Sequence, residues 1–119
     1  LGKIMEQIDL INGLAQVVRE KQGEHLSVID ISGITTTARY SVILTVNSKV
    51  HAESMTKNLI DYLIDNGYRD YLLSKNIPTN NPWILIDASD IIIHIFEKEV
   101  RDFYNLEKLY TRGKVIISE

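Results

Sequence analysis

From Ile4 the apolar residues Ile4, Ile8, Ile11, Ala15 and Val18 recur at threes and fours, which places them on one face of a first helix ending near Gly23. Glu6, Asp9, Gln16 and Glu20 fall mostly on the other side, so this helix is amphipathic. The run Leu26 to Ile31 is β-branched and too short for a helix, and it reads as the first strand. A loop, Ser32 to Ala38, leads to a second strand, Tyr40 to Val46. Here Tyr40, Val42, Leu44 and Val46 share one face and Ser41, Ile43 and Thr45 the other. The first face is the more apolar. Asn47 or Ser48 then offers a capping oxygen to a second helix carried by Val50, Met55, Leu59, Leu63 and Ile64. Gly67 is placed to take the left-handed conformation that ends it.

Tyr68 to Pro82 holds both prolines and reads as an irregular connection with one helical turn around Tyr71-Leu72-Leu73. Two β-rich runs then flank Asp87-Ala88-Ser89-Asp90, which predicts a hairpin of Trp83 to Asp87 and Ile91 to Phe96. Helical spacing returns from Glu97 to Tyr110 through Val100, Phe103, Leu106 and Tyr110, with Gly113 marking the end. Val115-Ile116-Ile117 forms a final edge strand or a tail that pairs with another chain, which leaves room for a homodimer. The order is αββαββα with a terminal β. The expected fold is α+β, a single-layer mixed sheet packed with helices, and residues 1–119 are read as one domain.

Composition narrows what such a domain does. The chain has no cysteine, so it offers no disulfide, thiolate metal site or cysteine nucleophile and suits a reducing compartment, the cytoplasm. With 13 Lys+Arg against 16 Asp+Glu it lacks the basic surplus that phosphate binding needs, and no direct nucleic-acid specificity is expected. The most apolar stretch, Trp83 to Phe96, is interrupted by Asp87 and Asp90 and falls short of the roughly 20 apolar residues of a membrane span. No membrane partner is expected.

The chemistry-bearing side chains fall into ordinary roles. Asp87 and Asp90 flank a turn, where aspartate bonds nearby backbone N–H groups, and this reading is preferred to an acid/base or metal pair. His94 alternates with Ile92 and Phe96 on one strand face and is read as a partly buried, hydrogen-bonded side chain. His25 and His51 have no metal-site spacing to it. No Gly-x-Ser-x-Gly element and no glycine-rich phosphate loop is present, so neither a catalytic site, a metal nor a cofactor is expected. The order of elements suggests a nucleotidyltransferase-like topology without its catalytic site, since Asp30 stands alone on its strand. A residual nucleotidyltransferase or nucleotide-binding protein is the alternative, held open by Asp30, Asp87 and Asp90. Aromatic residues, Trp83, Phe96, Phe103, Tyr104 and Tyr110, gather in the last third, with Tyr40 opening the second strand. In so small a domain a core role is preferred to a binding hot spot, and spacing does not say which ring takes which.

Several runs together carry a resemblance: Asp30-Ile31-Ser32-Gly33-Ile34, Tyr40 to Ser48, Trp83 to Asp87, Asp90 to Phe96, and Val100 to Tyr110 with its Phe-Tyr-x-Leu-Glu. In that order and spacing the chain resembles the ribosomal silencing factor family, also called Iojap-like or RsfS-like. It departs at Arg39, where the family usually has aspartate, at Ser41, Val46 and Ala88-Ser89, and at Tyr110, where tryptophan is usual. The resemblance implies a non-enzymatic translation repressor. Such a protein binds the large ribosomal subunit through its fourteenth protein and blocks joining of the small subunit when nutrients are short. The expected partner-binding residues are Tyr40, Trp83, Asp87, Asp90, His94, Phe96, Phe103 and Tyr104.

Overall fold

β2 (Tyr40–Val46) is the central strand of the sheet, and every residue along it is buried. The computed structural model describes residues 6–119; Ile4, where the sequence begins the first helix, lies outside them. Five strands lie in the order β3-β4-β2-β1-β5, with β1 spanning Glu24–Asp30, β3 Trp83–Ala88, β4 Ile91–Glu97 and β5 Lys114–Ser118. β3 and β4 form the expected hairpin, β4 runs parallel to β2, and the remaining pairs are antiparallel, so the sheet is mixed.

Two helices cover one face. α1 (Gln7–Glu20) buries Leu10, Ile11, Leu14, Ala15 and Val18, while Ile8, assigned to the same stripe by spacing, is 42% exposed. α2 (Lys49–Asp65) is the crossover that a parallel β2–β4 pair requires, and it buries Ala52, Met55, Leu59 and Leu63. Of its two candidate caps Ser48 serves: its hydroxyl accepts from the His51 N–H at 3.1 Å. Val50, in the first turn, points to solvent instead of the core. Gly67, with φ 90°, follows the last turn in the left-handed region. The short helical turn beyond it is Arg69–Tyr71, two residues earlier than the spacing suggests.

The second face is covered as well, which is why β2 does not alternate as its sequence predicts. Ser41, Ile43 and Thr45 are as buried as Val42 and Leu44. Over Ile29 and Ile31 lie Ile34 and Ala38 of the β1–β2 loop together with Tyr110. Over Ile43 and Phe96 lie Val100 and Leu106.

The predicted helix from Glu97 to Tyr110 is broken. α3 runs Lys98–Tyr104, Asn105 turns left-handed at φ 46° and ψ 56°, and a separate 3-10 turn follows at Leu106–Tyr110. Asparagine is one of the few residues other than glycine that visit this conformation routinely, and the turn delivers Leu106 to the sheet. Val115 to Ile117 form the edge strand β5 against β1.

Candidate protein-binding face

Strand register sets the site. On β3 and β4, Trp83 pairs with Phe96, Leu85 with His94 and Asp87 with Ile92, so alternation turns these residues to the face away from α1 and α2. The outer edge of β3 is met by the preceding connection only at one point described, where the Leu73 N–H donates to the Asp87 carbonyl at 2.9 Å. The face is therefore open at β3 and progressively covered toward β1.

At the Trp83 end the aromatic rings are continuous. The Trp83 ring stacks on Phe96 with centroids 5.1 Å apart, and Tyr104 of α3 leans on Trp83 at 4.7 Å. Phe103 meets Tyr104 edge to face at 5.2 Å. Phe96 is fully buried at the base, whereas Phe103 is 81% exposed, Tyr104 49% and Leu85 46%. A buried ring thus seats a half-buried indole, which seats two exposed rings. Exposed aromatic and aliphatic groups gathered in this way form a candidate interaction surface.

His94 lies under this layer. Its Nδ1 accepts from the Trp83 indole N–H at 3.2 Å, so the neutral ring carries its proton on Nε2. Burial pushes its pKa down to about 4, because the charged form would lose its hydration. Among the described residues, Nε2 of His94 and the hydroxyl of Ser41 on the neighbouring strand make no hydrogen bond within the protein.

Of the other expected site residues, Asp87 shares this face at its turn end, whereas Tyr40 and Asp90 lie elsewhere. Tyr40 is buried on the opposite face among the residues packed under α1 and α2, since alternation groups it with Val42 and Leu44. Asp90 sits at the hairpin turn, where its carbonyl accepts the N–H groups of Arg39 and Tyr40 and its carboxylate accepts from Gln7 at 3.1 Å. Asp87 accepts from the Ser89 N–H at 3.1 Å, the turn role its sequence setting predicts. Asp30 accepts from the Ser32 hydroxyl and N–H, and these bonds hold its carboxyl below the usual carboxylate range. Among the described residues no group of three or more His, Cys, Asp or Glu side chains could hold a metal ion.

Two contributors escape sequence reading in different ways. Leu85 is signalled by its alternation with Trp83 and Asp87 and completes the apolar surface between them. Arg101 gives no such signal, yet it is buried to 9% exposure beneath α3.

The structure is a small mixed sheet with an exposed patch whose chemistry is aromatic and aliphatic. Comparison with known proteins agrees: the model of the family "Ribosomal silencing factor during starvation" matches residues 4–119. The chain belongs to the ribosomal silencing factor family. It is 28% identical to the ribosomal silencing factor RsfS of Bacillus subtilis over 106 residues, covering 89% of this chain and 88% of that protein. With RsfS of Zymomonas mobilis it shares 35% identity over 95 residues, 79% of this chain and 69% of that protein. The chloroplastic protein Iojap of Zea mays is 28% identical over 98 residues, which are 82% of this chain but 41% of the plant protein. Two solved structures share the fold. A Chromobacterium violaceum protein superposes with a TM-score of 0.81 at 20% identity, covering 90% of this chain and 88% of that one. A Bacillus halodurans protein gives 0.72 at 24% identity, covering 92% and 97%. As a family member the chain is a ribosomal silencing factor, a regulator by name. No helix among its described residues is long and apolar enough to cross a membrane.

Proposed function

We propose that this protein binds the large ribosomal subunit through the subunit's fourteenth protein. By occupying the face that meets the small subunit it blocks joining and lowers translation when nutrients are short. The observation that carries this reading is the continuous exposed surface of Leu85, Trp83, Tyr104 and Phe103 over a buried Phe96. Solvated aromatic side chains in such a cluster are the usual anchors of a protein–protein contact. A net charge of -3 supports a protein partner over the phosphate backbone of RNA. In this reading Phe96 and His94 seat Trp83 from below, Asp87 stands at the rim of the contact, and Tyr40 and Asp90 act by holding the fold. The site of action is the compartment that holds these ribosomes, the cytoplasm.

The test is direct. Purified protein is mixed with large and small subunits and joined ribosomes are measured by sedimentation; joining should fall as the protein saturates the large subunit, and undiminished joining rejects the reading. The open outer edge of β5, with Val115 59% exposed, also supports pairing of two copies. Light scattering over a wide concentration range should then report a dimer, and monomer throughout rejects that part.

A further inference from the structure

α3 has seven residues, too few to hold a helix in water by itself, so tertiary anchors must fix the two aromatic residues at its C-terminal end. One anchor is apolar: Val100 packs against the cluster of Ile43, Phe96 and Leu106. The other is Arg101. Between α3 and the ends of β1 and β2 lies a cavity of about 430 Å³ lined by polar and charged groups, including His25, Thr45 and Lys98. On that side the contact that holds α3 is polar and directional.

Arg101 supplies it with four donated hydrogen bonds. One terminal nitrogen donates to the backbone carbonyl of His25 and, at 2.9 Å, to the Thr45 hydroxyl. The other donates to one carboxylate oxygen of Glu107 at 2.8 Å, and Nε to the second at 3.3 Å. The His25 carbonyl is available because β1 bulges there: Glu24 pairs with Thr45 and Ser27 with Ile43, leaving an extra residue whose φ is 51°. Glu107 belongs to the 3-10 turn beyond Asn105. A single side chain therefore ties α3 to two strands and to the segment after the break, and a bidentate guanidinium–carboxylate pair fixes angles as well as distances.

We propose that Arg101, clamped by Glu107 and by the β1 bulge, is the positioning residue that holds Tyr104 over Trp83 and presents Phe103 to the protein partner. Tyr104 is three residues along the same helix, on the side that meets Trp83. Rotation or fraying of α3 would uncover Trp83 and scatter the exposed rings without opening the main core, whose members come from the sheet and from α1 and α2. This inference rests on the aromatic face being the contact surface.

The experiment uses Arg101→Lys, which keeps charge but loses the fork, and Glu107→Gln, which loses the ion pair at a partly solvated position. Acrylamide quenching of Trp83, the only tryptophan, reads its cover by Tyr104 without any partner. Affinity for isolated large subunits is measured for each variant, for Tyr104→Ala, and for Glu107→Gln combined with Tyr104→Ala. Both clamp variants should make Trp83 easier to quench and weaken binding about tenfold. The double variant should lose less than the sum of the two single losses, because part of the clamp's effect acts through that ring. Unchanged quenching, or losses that simply add to those of Tyr104→Ala, would overturn the proposal. If Arg101→Lys does not fold, Glu107→Gln carries the same comparison. Should wild-type protein fail to bind large subunits, the functional reading falls, and quenching alone still decides the clamp.

Discussion

The Trp83 indole N–H reaches Nδ1 of His94 at 3.2 Å, so a ring of the exposed aromatic face is held in place by a histidine that must stay neutral to accept it. This makes the aromatic face sensitive to acid. His94 is protonated only below about pH 4 when folded, against an ordinary value of 6.5. Between those values the unfolded chain binds the extra proton, so stability is complete above pH 6.5 and lost progressively toward pH 4. The full loss is about 3 kcal/mol. Urea midpoints at pH 7, 5.5 and 4.5 should fall for wild type and fall less for His94→Phe. Equal slopes for the two proteins would remove His94 from the account.

Tyr104→Ala and Trp83→Ala should each weaken large-subunit binding by about 2 kcal/mol or more. They differ in what else they disturb. Tyr104 is half exposed, so its removal should leave the melting temperature nearly unchanged. Trp83 rests on Phe96 and satisfies His94, so its removal should lower both binding and stability. A binding measurement and a melting curve on the same samples separate the two, and a Tyr104→Ala protein that binds normally would rule that ring out of the contact.

Ile93 and Ile92 are neighbours on β4 with different burdens. Ile93 is fully buried under α1 and α2, and Ile93→Ala should cost roughly 2 to 5 kcal/mol of folding stability. Ile92, packed on the smaller cluster of Ile29, Ile31 and Ala38 and only partly buried, should cost less. Chemical denaturation of both variants checks the order, and the reverse order would contradict the assignment of the main core.

Gly13 lies inside α1, where alanine would ordinarily gain about 1 kcal/mol of helix stability. Here a Cβ would stand 2.0 Å from the Tyr62 hydroxyl oxygen, which donates to the Leu10 carbonyl at 3.0 Å. Gly13→Ala should therefore destabilise the protein. Gly13→Ala combined with Tyr62→Phe should recover part of the loss, because the hydroxyl is the closest atom. A single variant as stable as wild type would refute the close approach.

How far this was readable in the sequence differs by element. Alternation and run length suffice for the β3–β4 hairpin and for α2, because each buries side chains in a regular period, and run length alone suffices for the extent of β2. The failures share a cause. Thr45 and Ser41 look like the wet face of a half-buried strand, and only the later chain segments that fold over them bury that face. Asn105 sits within an unbroken helical spacing, and its left-handed turn is fixed by where Leu106 must go. The aromatic residues of the last third were visible as a group, but their division into buried Phe96 and exposed Phe103 depends on the sheet register. Arg101 was invisible, since a bulge carbonyl on β1 and a hydroxyl on β2 select it, and neither leaves a local mark.

The parallel pairing of β2 with β4 sets a schedule for the nascent chain. Between these neighbours in the sheet lie α2, the long connection and β3, so the centre of the sheet cannot close until β4 has been synthesised. Until then Val42 and Leu44, with Leu59 and Leu63 of α2, have no Ile93 or Ile95 to pack against. The outer edge of β1 waits longer still, for β5. Non-local strand pairings of this kind form slowly and leave apolar surface open to association meanwhile. A chain stalled before Ile91 would thus be a client for chaperones, and a member of a ribosome-silencing family depends for its own shape on a ribosome that has read past β4.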